Sequence, residues 1–283
     1  MAGESRTGQA FSAQSAAAEC ALHKDVPLTV LESPPPPALD PQQALFLDID
    51  GTLLEIAPRP ELVRVPVHLP ALLGRLSTQR GAALALISGR PLSQLDALFR
   101  PWHGAAAGLH GLERRRAEGS LDCLIDTASA GALDRLRPRL AALASPGSGL
   151  ILEDKRGTLA LHYRAAPWRE AEIRAAADAF CREGASVLRL IQGKMVVEFQ
   201  PRTVNKGLAI AAFLAERPFR GRSPVFVGDD ITDEDGFAEI RRRDGIAVRV
   251  GPPCATAANY RLPCVEAVLA WLAKAACPEH REG

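Results

Sequence analysis

Short runs of almost unbroken apolar residues constrain this chain more than any other feature: ALFL before Asp48, AALALI before Ser88, PVFVG before Asp229, and GIAVRV ending at Val250. Strands with so little polar alternation are buried on both faces. Between and after them lie segments with apolar residues at helical spacing: PVHLPALLGRLSTQRG, PLSQLDALFR with its opening proline, TVNKGLAIAAFLAER and CVEAVLAWLAKA. GAAAGLHG reads as a further strand, weakened by its glycines. Alternation of this kind predicts an α/β fold with a parallel sheet and helices on both faces.

The middle of the chain is different. GLILEDKRGTLALHYRAA alternates apolar and polar residues, as half-exposed antiparallel strands do. The helix WREAEIRAAADAFCREG follows, and then the short strands ASVLRLIQG and KMVVEFQP around a glycine turn. Trp168 opens that helix and is expected to pack there. These patterns predict a smaller α+β domain over residues 126–200, inserted between core segments 41–125 and 201–283. Residues 1–40 are rich in Ala, Ser and Gln, show no period, and carry SPPPP, which fits neither a helix interior nor a sheet. They are expected to form a disordered leader, with a docking role as the alternative.

Composition removes several classes of function. A net charge of +1, with arginines dispersed among acids, provides no field for nucleic acid or an anionic membrane. Arg241-Arg242-Arg243 reads as a solvated helix end. No apolar run approaches the roughly 18 residues of a membrane span. Glu4 and the lack of an early apolar stretch argue against a signal peptide. The 6 cysteines are widely spaced with no C-x-x-C pair, which suits free thiols in the cytoplasm.

Chemistry gathers where the buried strands end. In an open parallel sheet, ligands bind beyond the carboxyl ends of the strands, and there stand Asp48 and Asp50, Ser88, and Asp229-Asp230. Strand alternation directs Asp48 and Asp50 to one side. Carboxylates so close repel unless a cation or a shared proton relieves them. An oxygen-only donor set suits Mg2+. One Asp at a strand end is ordinarily a cap or turn former. Several buried strands all ending in polar groups are not explained that way.

DIDGTL, the SGR serine, Lys206 at a helix start, and GDDITDED together resemble the motifs of haloacid-dehalogenase-like phosphatases, which have a Rossmann-like core. The resemblance implies that Asp48 is the nucleophile and that Asp50 protonates the leaving alcohol and later activates water. It implies a Mg2+ ion held by Asp48, the Asp50 carbonyl and Asp229. Ser88 and Lys206 would bind the transferring phosphoryl group. Gly51 and Thr52 would bring backbone close to the phosphate, with Gly89 and Arg90 of SGR beside them. Arg90 is left between reaching the phosphate and pairing with an acid. Asp230 and Asp233 would orient metal waters or Lys206.

Within that superfamily, DIDGTLLEIAP, ALALISGR, GLHGLERR, LEDKRGTLALHYR, QGKMVVEFQPR, NKG and PVFVGDDITDEDGFA resemble bacterial trehalose-6-phosphate phosphatases, in order, over about residues 44–272. The resemblance implies hydrolysis of trehalose 6-phosphate, with Glu153, Lys155 and Glu198 bonding the hydroxyls of the distal glucose; a monomer is expected. Lys194 suits either substrate contact or a solvated charge. Strand alternation turns Asp154 away from Glu153. His110 is tempting as a general acid, but Asp50 already fills that role. Two alternatives stand beside this reading. One is a phosphatase for another sugar phosphate, such as sucrose 6-phosphate or mannosyl-3-phosphoglycerate; the other is an inactive regulatory or binding domain.

Overall fold

The computed structural model describes residues 33–57, 62–123, 125–154, 157–183, 186–193 and 195–277. Lys155, Lys194 and the expected leader as far as residue 32 lie outside them. The described strands are β1 (Ala44–Leu47), β2 (Leu84–Ile87), β3 (Ala105–Gly108), β4 (Glu113–Arg115), β5 (Leu121–Cys123), β6 (Ile151–Asp154), β7 (Leu159–His162), β8 (Leu188–Gly193), β9 (Val196–Pro201), β10 (Pro224–Gly228), β11 (Ile246–Val250) and β12 (Tyr260–Leu262).

The larger sheet runs β12-β11-β10-β1-β2-β3-β4-β5. From β12 to β3 every pairing is parallel, as expected for strands buried on both faces. The edge departs from the all-parallel expectation, because β4 and β5 pair antiparallel. Alternate residues of the central strands feed two cores. Leu45, Leu47, Val225 and Val227 meet the helices Leu69–Gln79 and Val265–Ala276, whereas Phe46 and Phe226 meet Lys206–Leu214 and Glu234–Arg241. Phe46 stacks on Phe219 at 5.4 Å between ring centroids. Because β2 and β3 lie on one side of β1 while β10, β11 and β12 lie on the other, the chain reverses direction across the sheet at the β1/β10 boundary. The carboxyl ends of strands flanking such a reversal leave a crevice.

A second sheet, β6-β7-β9-β8, is wholly antiparallel. Leu159, Leu161, Val197 and Phe199 face the helices Thr127–Leu143 and Glu170–Glu183, closing a separate core with Leu133, Leu136 and Ile173. The helix Thr127–Leu143 was not expected, since Pro138 stands inside it. It starts firmly because the Asp126 carboxylate accepts the Ser129 N–H at 2.8 Å.

The proline run does not behave as the expected leader. Pro34 O accepts the Arg261 N–H of β12 at 3.0 Å, Pro37 O accepts the Trp271 indole N–H at 2.9 Å, and Leu39 packs on the core. Proline offers no donor of its own, so carbonyls facing the sheet edge and the last helix are what it can contribute. Among the described residues, no helix is long and apolar enough to cross a membrane.

Candidate active site

The carboxyl ends of β10, β1, β2 and β3 lie side by side, and the segments leaving them carry Asp229, Asp48, Ser88 and His110. Asp48 continues the ladder, its N–H bonding Val227 O at 2.9 Å, so its position is fixed by the sheet. It shares the parity of Ala44 and Phe46, and therefore meets the start of the helix Lys206–Leu214. Asn205 caps that helix by accepting the Leu208 N–H at 2.7 Å. Lys206 then reaches inward, its Nζ 2.7 Å from Asp48 Oδ1 and 2.6 Å from Asp233 Oδ1, with all three side chains buried.

Asp233 also shapes the turn after β10. Its second oxygen accepts the N–H groups of Asp229 at 3.0 Å and Asp230 at 2.9 Å. One carboxylate thus orients both the ammonium and the backbone that presents Asp229. Gly51, at φ +80°, leaves room for this arrangement, since a Cβ there would lie 2.0 Å from Asp229 Oδ2. Thr52 Oγ1 stands 3.4 Å from Asp229 Oδ1.

Oxygens of Asp48, Asp229 and Asp233 lie within 4.8 Å of one another. Three carboxylates here meet one ammonium, so the cluster carries excess negative charge. Burial pushes Asp48 well above the usual carboxylate range, although Lys206 opposes the change. Burial, with Asp233 and Asp230 beside it, raises Asp229 to about 6. Burial alone would lower Lys206, but Asp233 and Asp48 outweigh that and hold it protonated. An oxygen-only, over-negative cluster fits a hard divalent cation.

Asp50 is not in that cluster. Its carboxylate is gripped at both oxygens by Arg90, Nε and Nη2 each at 2.6 Å. Of the two partners expected for Arg90, the structure shows the acid. Ser88 is buried and its Oγ accepts the Arg90 N–H at 3.1 Å. Gly89 secures space for His110, whose Nε2 would lie 2.7 Å from a Cβ at that position. His110 itself has φ 58°, in the left-handed region, and its N–H bonds Ser88 O at 2.8 Å. Asp230 is exposed, and its carbonyl accepts Arg249 at 3.2 Å.

On the smaller sheet, Glu153 stands opposite Ala160, and Ala160 opposite Glu198. Directly opposed residues share a face, so both glutamates project from the face that the helices leave open. Glu153 pairs with His162 Nε2 at 3.0 Å. Asp154 points the other way, as alternation predicts, and pairs with Arg137 at 2.6 Å. Trp168 is 78% exposed, so the packing expected of it is not found. Sequence reasoning missed His162, although LALHYR puts it two residues from Ala160 and hence on the same face.

A family model described as trehalose-phosphatase matches residues 46–266. A protein of Sinorhizobium fredii named as a probable trehalose-phosphate phosphatase is 43% identical over 226 residues, covering 80% of this chain and 84% of that protein. The trehalose-6-phosphate phosphatase of Escherichia coli is 44% identical over 236 residues, covering 83% and 87%. Among solved structures, the C-terminal domain of Candida albicans trehalose-6-phosphate phosphatase superposes with a TM-score of 0.71 at 21% identity, covering 86% of this chain and 98% of that one. That last likeness bears on the fold alone.

Proposed function

The chain belongs to the trehalose-phosphatase family, and from that premise we propose that it hydrolyses trehalose 6-phosphate to trehalose and inorganic phosphate through a phosphorylated Asp48. The observation that carries this reading is the buried Asp48–Lys206–Asp233 chain at the sheet reversal. It holds a carboxylate in a fixed place, with an ammonium beside it to meet phosphoryl charge. The inactive-domain alternative loses ground because Asp48, Lys206 and Asp229 converge on one site.

In this mechanism an Asp48 oxygen attacks phosphorus as the bond from phosphorus to the sugar oxygen breaks, and Asp50 gives a proton to the departing oxygen. Asp50 then takes a proton from the water that attacks the acyl phosphate, which returns Asp48 and releases phosphate. Arg90 covers both Asp50 oxygens before substrate arrives. A substrate phosphate that competes for Arg90 frees Asp50, which takes up a proton from solvent before giving one to the departing oxygen. Ser88 stands ready to donate its hydroxyl to a phosphate oxygen. Asp48, Asp229 and the Asp50 main chain would hold Mg2+, which when bound offsets phosphate charge so that an anionic nucleophile can approach.

Residues 126–200 act as a cap on the core, and Glu153 and Glu198 select the sugar by charge-assisted hydrogen bonds. The free thiols of Cys123, Cys181, Cys254, Cys264 and Cys277 support a cytoplasmic setting. Phosphate release from a panel of sugar phosphates, with and without Mg2+, tests the reading. Trehalose 6-phosphate should be preferred, and a preference for sucrose 6-phosphate or mannosyl-3-phosphoglycerate would overturn the substrate assignment.

A further inference from the structure

An ion pair between Arg189 and Asp235 joins the smaller sheet to the larger domain. Arg189 Nη1 lies 3.0 Å from Asp235 Oδ2, with 22% and 16% of the two side chains exposed. Arg189 is on β8, opposite Gln200 of β9, and its Nη2 donates to Gln200 Oε1 at 3.2 Å. Gln200 projects from the face opposite the smaller sheet's own helices, yet it is fully buried. Gly157 also comes against the core, because a Cβ there would lie 2.1 Å from Leu112 Cδ2.

Both ends of the pair have consequences. Asp235 is in the first turn of the helix Glu234–Arg241, two residues beyond Asp233, which holds Lys206. Its carbonyl is so close to Gly207 that a Cβ there would lie 2.4 Å away. The pair therefore lands on the part of the core that positions Lys206. On the other side, Glu198 lies two residues from Gln200 on the same face of β9, about 7 Å along the strand. The row Glu153–Ala160–Glu198 is thus one step from the anchored row.

We propose that Arg189 and Asp235 are positioning residues, whose ion pair sets the height of the Glu153–Glu198 row above Asp48 and Lys206. Through it the cap's reading of the sugar is coupled to the core, while phosphoryl transfer stays with the core residues. The proposal rests on the phosphatase reading of the site.

The test compares the full-length wild type, Arg189→Met, Asp235→Asn and the double variant. Steady-state kinetics with trehalose 6-phosphate and with p-nitrophenyl phosphate give one readout. Each single variant should lower kcat/KM for trehalose 6-phosphate about tenfold, mostly through KM, with a loss on the small ester at least several-fold smaller. The double variant should be no worse than either single one, since the two changes break the same contact. Additive losses, or equal losses on both substrates, would overturn the proposal. The second readout is hydrogen–deuterium exchange of residues 157–163 and 108–112 without substrate, expected to be several-fold faster in Arg189→Met at unchanged melting temperature. If the wild type does not hydrolyse trehalose 6-phosphate, the functional reading fails, while the exchange result still decides the ion pair. Unchanged exchange in an active enzyme overturns the ion-pair proposal alone.

Discussion

Arg90 holds Asp50 at both carboxylate oxygens, each contact 2.6 Å. If Arg90 alternates between this acid and a substrate phosphate, it contributes to binding and to the release of Asp50. Arg90→Met should then lower kcat/KM by about 10- to 100-fold, with both kcat and KM affected. Arg90→Lys should recover only part, because an ammonium cannot make the two-point contact. Unchanged steady-state phosphate release would mark the pair as incidental.

Asp48 and Lys206 should separate chemistry from stability. Asp48→Asn removes the proposed nucleophile but leaves Lys206 its bond to Asp233. Turnover should disappear while the melting temperature stays within a few degrees of wild type. Lys206→Ala instead strands buried Asp48 and Asp233 without their cation. Breaking a buried pair this way costs about 3–5 kcal/mol, so the melting temperature should fall by roughly 10 °C. Substantial phosphate release by pure Asp48→Asn protein would remove Asp48 from the nucleophile role.

The metal prediction follows from Asp229. Its folded-state pKa of about 6 exceeds the ordinary 3.8, so ionising it costs stability as pH rises through that interval. In metal-free protein, Asp229→Asn should gain stability relative to wild type from about pH 4 to pH 6 and hold the gain above that. Mg2+ should relieve the same cost in the wild type, raising its melting temperature more at about pH 7.5 than at about pH 5. Chelation should abolish activity, and Ca2+, with its longer bonds and larger ligand number, should restore little. Full activity after exhaustive chelation would refute the metal assignment.

The central strands were legible because their alternate residues, Leu45 and Phe46, Leu86 and Ile87, Val227 and Phe226, are buried on opposite faces, and such strands need continuous apolar residues. Asp48, Ser88 and Asp229 were legible because polar groups end those strands. The β4–β5 hairpin was not, since Leu121 is 69% exposed and the strands are tied by Arg114 and Arg116 to Asp122. Those ties depend on register, which no single strand displays. Register likewise hid Arg189, whose facing direction is clear only once Gln200 is seen opposite it. The helix Thr127–Leu143 was masked by Pro138, although Asp126 before it was a usable capping signal. The Arg90–Asp50 pair spans 40 positions, a distance over which spacing says nothing.

Truncation should distinguish the proline run from what precedes it. Deleting residues 1–32 keeps the acceptors at Pro34 and Pro37 and the packing of Leu39. Deleting as far as residue 39 removes all three, at about 1 kcal/mol per hydrogen bond plus the apolar contact. The longer deletion should therefore melt several degrees below the shorter one, with kcat little altered in either. Equal melting temperatures would return the proline run to the status of a dispensable leader.

The last prediction concerns Glu198. It projects from the open face of the smaller sheet, in line with Glu153 across Ala160, and none of the residues proposed to handle phosphate lies on that sheet. A carboxylate so placed has nothing to offer phosphoryl transfer, but it can accept sugar hydroxyls by direction and charge. Removing it leaves those hydroxyls desolvated without a partner. Glu198→Ala should therefore lower kcat/KM for trehalose 6-phosphate by about 10²-fold, the range expected when a site built to bond a polar group loses that bond. p-Nitrophenyl phosphate has no second sugar for the sheet to hold, so the ratio of the two kcat/KM values should fall by at least tenfold. Glu153→Ala should move the ratio in the same direction, because the two residues share one row. Equal losses on both substrates would mean that Glu198 supports the fold or the core, and selection of the disaccharide would have to be sought elsewhere on the cap.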